Sequence, residues 1–331
     1  MGAILAPANG RGAGRRLIEA GARELYLGFY DPAWDDAFGG APLNRMSGFG
    51  PEANALSFAE ALDEASRIRE AAPGEALRGL YCVFNAMGYT ARQEDFIARR
   101  YLPHLAAAGF TGVILSGTGL AFEARACGLA TVASTMCAVY NQDLAAWHAA
   151  HGIDRVILPR DLSLADVEGI VRAVPEVRYE AFLMRNGCVF ADSHCMGLHR
   201  AGRPSLCRTL RTAGGWRQES AHIPRPADGW DDRRRDNHRT WARRFHLNTC
   251  GLCALWRLER LGVDAYKIVG RGDNLDDLAS DVALASRNLA VARRCASEEE
   301  YLAAMKRPAE IRGLCANEGL SCYYPEPRFG E

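Results

Sequence analysis

Eleven cysteines in 331 residues are the first chemical signal in this chain. Five fall in one region with ligand-like spacing: Cys188-x6-Cys195-x11-Cys207, then Cys250-x2-Cys253. An odd count without a secretory leader argues against a disulfide framework, which a reducing cytosol would not sustain. Thiolates are soft donors that select zinc, copper(I) or iron–sulfur clusters, so part of this set reads as a metal or cluster site. Cys250-x2-Cys253 also suits half of a four-thiolate zinc site, whose usual second close pair is missing here. Scattered buried thiols are the alternative, and the better reading for Cys82, Cys127 and Cys137 on strand or helix segments.

Such residues need a frame that makes them converge. Short apolar runs at 3–8, 24–28, 78–85, 112–116, 131–138, 155–159, 178–184 and 265–270 read as strands. Between them lie helix-period segments at 11–22, 55–72, 91–108, 120–127, 144–151, 163–173, 252–261 and 274–292. Two of these open on capping boxes, Ser57 with Glu60 and Ser163 with Asp166. Strands with continuous apolar character, alternating with helices, predict an α/β chain closed as a (β/α)8 TIM-type barrel; an open doubly wound sheet is the alternative. The expected layout is a barrel over 1–293, a cysteine-rich insertion over 184–250 after the seventh strand, and a C-terminal appendage over 294–331 with a helix at 298–306. The glycines Gly10, Gly12 and Gly14 miss the dinucleotide and Walker spacings and read as a tight βα turn.

Barrel enzymes build their sites from the loops after the strands. Arg160 follows strand six, Arg185 follows strand seven, and Lys267 and Arg271 flank the end of strand eight. Four cations at one mouth suit a small dicarboxylate, which arginine clasps with two parallel hydrogen bonds. The alternative is pairing with rim acids such as Asp161 or Asp273. Between Met196 and His246 stand twelve arginines against five acidic residues, with Trp216, Trp230 and Trp241 interleaved. That pattern suits RNA phosphates and stacking, although a solvated face is the plainer reading.

Composition sets outer limits. Forty basic and forty acidic residues leave no net charge, which argues against coating nucleic acid by bulk charge. Hydrophobic content of 48% and charged content of 24% are globular values and exclude a disordered or collagen-like chain. The longest uncharged stretch, 101–122, holds Pro103, His104 and four glycines and does not suit a membrane span. With no basic segment ahead of the apolar start, the expectation is a soluble, cytoplasmic protein.

Three segments carry a resemblance: Ile4-Leu-Ala-Pro-Ala8 with Gly21-Ala-Arg-Glu-Leu-Tyr-Leu-Gly28, Tyr179-Glu-Ala-Phe-Leu-Met-Arg-Asn-Gly-Cys188 followed by Cys195, and Gly262-Val-Asp-Ala-Tyr-Lys-Ile-Val-Gly-Arg271. In order and over about residues 3–293, they resemble the collagenase-like peptidase family U-32. That family includes the ubiquinone-hydroxylation proteins UbiU and UbiV and proteins that hydroxylate transfer or ribosomal RNA. The resemblance implies a 4Fe–4S cluster on four cysteines and oxygen-independent hydroxylation, with prephenate as the hydroxyl donor. Carried over, Cys188, Cys195 and Cys207 match the first three ligands, and Cys250 the fourth with Cys253 in reserve. Arg160, Arg185, Lys267 and Arg271 would then bind the anionic donor; the acceptor would be a small aromatic or RNA. The chain departs from the family at Arg185-Asn186-Gly187, where His-Gly-Ala is usual, at Ser193-His194, where Gly-Arg is usual, and at Val269, where Glu is usual. No residue is assigned as catalytic. A peptidase and a non-catalytic iron–sulfur subunit of a heteromeric complex of family members stay as alternatives, although neither His-Glu-x-x-His nor Gly-x-Ser-x-Gly occurs.

Overall fold

Eight apolar runs become eight strands, because each is continuous enough to be buried on both faces. They are β1 (Ala3–Pro7), β2 (Glu24–Leu27), β3 (Gly79–Phe84), β4 (Gly112–Leu115), β5 (Ala130–Ala133), β6 (Arg155–Ile157), β7 (Arg178–Met184) and β8 (Ala265–Ile268). Each pairs in parallel with the next and β8 pairs with β1, so the sheet closes into a barrel. The structure is a computed structural model that describes residues 1–49, 54–72, 76–188, 192–194, 249–308 and 322–329. The open-sheet alternative is thereby excluded.

The helices follow the local signals closely. They are α1 (Ala13–Glu19), α2 (Pro32–Phe38), α3 (Phe58–Ala71), α4 (Ala91–Arg100), α5 (Leu102–Ala107), α6 (Ala121–Ala126), α7 (Gln142–Ala150), α8 (Leu164–Ala173), α9 (Leu255–Arg260), α10 (Leu275–Arg294), α11 (Glu298–Ala304) and α12 (Glu326–Phe329). Both capping boxes form, at Ser57 and Ser163. The segment expected as one helix over 91–108 is two, since Pro103 has no N–H to continue the ladder and sits in the first turn of α5. Strand five stops at Ala133 rather than 138, because the Ser134 side chain accepts from Met136 N and starts a 3-10 turn, Thr135–Cys137. Helix α2, capped by Asp31, was not anticipated; with the 3-10 turn Arg45–Phe49 it forms an excursion between β2 and α3. After β1, Gly12 takes φ 74° and its amide, with that of Gly14, donates to the Glu64 carboxylate at 2.9 and 3.3 Å. That turn is occupied by the chain's own anion, in keeping with the tight-turn reading.

The barrel interior holds a ladder of alternating charge. Arg155 grips Glu24 through two hydrogen bonds of 2.6 and 3.0 Å and reaches Asp264 at 2.6 Å. Its Nη1 lies 3.6 Å from Glu180, whose other oxygen accepts from Lys267 Nζ at 2.6 Å. Lys267 Nζ in turn sits 4.1 Å from the centre of the Tyr26 ring. Arg155, Glu24 and Glu180 are at most 1% exposed. This ladder connects the floor of the barrel to its mouth.

Of the insertion at 184–250, only the ends and Asp192–His194 belong to the described residues. Cys195, Cys207 and the arginine-rich stretch lie outside them, as does Cys315. Two parts of the chain after α10 return to the barrel. Tyr301 of α11 is buried and donates to Leu252 O at 2.6 Å. At the other, Tyr323 and Tyr324 are buried and Glu326 accepts from Leu164 N at 2.7 Å. Among the described residues, no helix is long and apolar enough to cross a membrane.

Candidate functional site

The chain leaving β7 makes an unusual turn before its first candidate ligand. Arg185 and Asn186 both have positive φ, 67° and 41°, a left-handed region that costs a non-glycine residue on the order of 1 kcal/mol. Surrounding groups over-determine it. Arg185 N donates to Thr249 O at 2.8 Å, Asn186 Nδ2 donates to Asp273 at 3.2 Å, and Arg160 donates to the Asn186 carbonyl. The turn delivers Cys188 to the mouth two residues later.

The second candidate ligand comes back to the same strand end. Cys250 bridges Met184 antiparallel and Cys322 in parallel. Its sulfur accepts from Leu252 N at 3.5 Å, the kind of N–H···S contact that stabilises thiolate character. Cys253 lies in the adjoining 3-10 turn, Leu252–Ala254, and is also buried. The described residues alone contain no group of three or more potential metal ligands; Cys195 and Cys207 are not among them. Cys137, by contrast, turns its sulfur to Leu115 O, and burial pushes its thiol up to about 12. Although His148 hydrogen-bonds to the Cys137 backbone, that thiol is not an activated nucleophile.

The four cations differ in their partners. Arg160 meets Asp192 at 2.7 and 3.2 Å, and its guanidinium stacks 4.1 Å from the Phe182 ring centre. Asp192 is shared with Arg45, which reaches it at 2.7 Å from the β2–α3 excursion. Arg185 pairs with Asp273 at 2.9 Å and also with Asp281. Lys267 pairs with Glu180, and burial lowers its pKa despite that partner. Asp161 accepts from the Tyr140 hydroxyl at 3.0 Å and, among the described residues, ion-pairs with no cation.

Arg271 is the exception: among the described residues no carboxylate forms an ion pair with it. Its Nη1 donates to Asn44 Oδ1 at 3.3 Å. A Cβ at Gly28 would stand 2.4 Å from that Nη1 and 2.9 Å from Asn54 Oδ1, so glycine at the end of β2 is what admits the guanidinium. Burial lowers the Arg271 pKa to about 10, Tyr26 opposes that shift, and the neighbouring Arg45 adds to it. A desolvated cation lacking a fixed counter-ion favours an anionic visitor.

Asn44, Arg45, Asn54, Asp192 and Glu180 were not singled out by sequence. The first three lie in an excursion without periodicity, and nothing local marks Asp192 as the acid between two arginines.

The Asp192 clamp has a pH signature. Burial disfavours its charge, but Arg160 and Arg45 outweigh burial and hold the carboxyl at about 2, below its ordinary 3.8. A carboxyl depressed in this way contributes stability at neutral pH, roughly 2 kcal/mol here, which is lost as pH falls from about 4 through 2. Wild type is therefore expected to be more stable than Asp192→Asn at pH 7, with the gap closing between pH 4 and 2. Urea midpoints across that range check it; a gap independent of pH would remove the clamp.

Across residues 13–325 the chain matches the family model described as peptidase family U32. The chain belongs to that family. A solved member, the U32 peptidase Mk0906, aligns with 56% of this U32 chain and 70% of its own at 14% identity and a TM-score of 0.41. CdNal from Clostridium difficile, solved with mannosamine, covers 97% of this chain and 84% of its own at 8% identity and TM-score 0.47. N-acetylneuraminate lyase from Fusobacterium nucleatum covers 92% and 79% at 9% identity and TM-score 0.47. Among curated proteins, none matches the chain in sequence.

Proposed function

We propose that this U32 protein is an iron–sulfur enzyme that hydroxylates an aromatic or nucleobase acceptor without dioxygen, with prephenate as the candidate donor. The observation that carries the reading is Arg271, a cation buried at the barrel mouth with no ion-paired carboxylate among the described residues. In this reading Arg271 takes a carboxylate of the donor. Arg160 and Arg185 act as supports: their acids hold them in place, and they hold the turn that leads to Cys188. Lys267, fixed against Glu180 and Tyr26 just below, adds positive potential to the floor of the site.

The resident group would be a 4Fe–4S cluster on Cys188, Cys195, Cys207 and Cys250. The soft donors Cys188 and Cys250 at the end of one strand and the N–H···S contact at Cys250 fit such a group. When bound, the cluster supplies redox or Lewis-acid activation of an oxygen-bearing donor. The chain's own part is to bind the donor's charge, orient it, and hold the cysteine turn in place.

The test is iron and sulfide content with the absorption spectrum, on protein purified without oxygen. About four irons and four sulfides per chain are expected in wild type and fewer than one in Cys188→Ala. Zinc in their place, or no metal, would overturn the reading. Loaded protein is then assayed with prephenate against small aromatics and RNA; turnover only in the presence of a second family member would make the chain a subunit of a heteromer.

A further inference from the structure

The end of the chain reaches the site through Tyr323. Cys322 pairs with Cys250 in a parallel bridge, and Tyr323 N donates to Cys250 O at 2.9 Å. The Tyr323 ring lies 5.7 Å from that of Phe182, on the strand that ends in the left-handed turn. Its hydroxyl donates to the carbonyl of Arg185, the first residue of that turn. The next residue, Tyr324, is 1% exposed and packs where a Cβ at Gly251 would stand 3.1 Å from its ring. Glu326 then ties the segment to the N-terminus of α8. Residues 322–326, from beyond the barrel, thus touch two of the candidate ligand positions, Cys250 through the backbone and the turn before Cys188 through a phenol.

We propose that Tyr323 is a positioning residue for Cys188, acting through the Arg185 carbonyl. A two-residue left-handed turn has no intrinsic preference for its conformation, so external contacts must hold it. Arg160, Asp273 and Thr249 supply contacts from the barrel; Tyr323 supplies one from the C-terminal segment. Phenylalanine at 323 keeps the ring against Phe182 and removes the hydroxyl's bonds to the Arg185 carbonyl and to Arg160, which itself holds the turn. The proposal deepens the ligand role assigned to Cys188 above, yet its geometry stands without any metal.

The experiment uses the full chain, reduced and with iron chelated, in wild type, Tyr323→Phe and Tyr324→Phe forms. Native-state alkylation of Cys188 by iodoacetamide is followed by peptide mass spectrometry, with the buried Cys82 as internal reference. Tyr323→Phe is expected to raise the Cys188 rate roughly two- to tenfold, the scale of one hydrogen bond, and to leave Cys82 unchanged. Tyr324→Phe, whose hydroxyl lies against the Phe182 backbone and not against the turn, is expected to match wild type. An unchanged Cys188 rate in Tyr323→Phe, or an equal rise in both variants, overturns the proposal. Iron reconstitution of the same samples separates the two readings. A raised rate in Tyr323→Phe, with wild type taking up no iron, keeps the positioning role and removes the cluster.

Discussion

Arg155→Leu is expected to destabilise the barrel by roughly 3–5 kcal/mol, the cost of leaving buried charge without its partner. Glu24 and Glu180 are both almost fully buried, and Arg155 faces both of them. Burial already raises the Glu24 pKa, with Arg155 as its main opponent. Without the guanidinium that carboxyl rises further, so the folded variant holds a proton that the unfolded chain releases. Stability of that kind is present below the unfolded pKa and is lost as pH rises through the folded one. Arg155→Leu should therefore gain stability relative to wild type as pH is lowered from 8 to 5. Urea midpoints at both ends of that range measure it. A second variant, Arg155→Leu with Glu24→Leu, should recover part of the loss by removing one stranded charge. A single-variant cost below about 1 kcal/mol, or no pH trend, would mean that the ladder is not what organises the barrel interior.

Arg271→Leu is expected to move stability and binding in opposite directions. Removing a desolvated cation that ion-pairs with no carboxylate among the described residues should leave the fold unchanged or stabilise it by about 0.5–2 kcal/mol, as happens where function holds a site in strain. Anion binding should fall by 2–5 kcal/mol, roughly thirtyfold to several thousandfold, if a ligand carboxylate supplies the missing charge. Arg160→Leu is the instructive comparison, because it takes from Asp192 one of its two cations among the described residues and should destabilise the fold. Thermal unfolding and titration calorimetry with prephenate, run on both variants, separate a binding cation from a structural one. Loss of stability in Arg271→Leu with binding intact would reverse the assignment.

The barrel was legible because its signals are local. Runs such as Gly112–Leu115 and Ala265–Ile268 declare burial on both faces, and Ser57 and Ser163 announce the helices that follow them. Local side-chain and backbone chemistry cut the apolar pattern short in two places. At Ser134 a side chain competed with the strand ladder, and at Pro103 a missing N–H divided a helix whose apolar period continues through it. Helix α2 lies in the connection between β2 and α3, where only its local start signal, Asp31 before Pro32, marks it.

The site was legible by residue type and not by partnership. Arginines after strands six, seven and eight are visible in any reading, as is the spacing of Cys188, Cys195, Cys207, Cys250 and Cys253. Which arginine is paired depends on acids distant in the chain: Asp273 and Asp281 are about ninety residues from Arg185, and Asp192 gathers Arg45 from the opposite end. Ion pairing is a matter of distance, and sequence separation carries almost no information about it. The same holds for Tyr323, which becomes part of the cysteine region only because the chain folds back over β7. By itself, then, the sequence determined the barrel, the family and the inventory of donors and cations. The tertiary structure alone decided which charges cancel, which cation stands without an ion-paired carboxylate among the described residues, and what holds the turn before Cys188, because those outcomes rest on through-space contact between residues the chain keeps far apart.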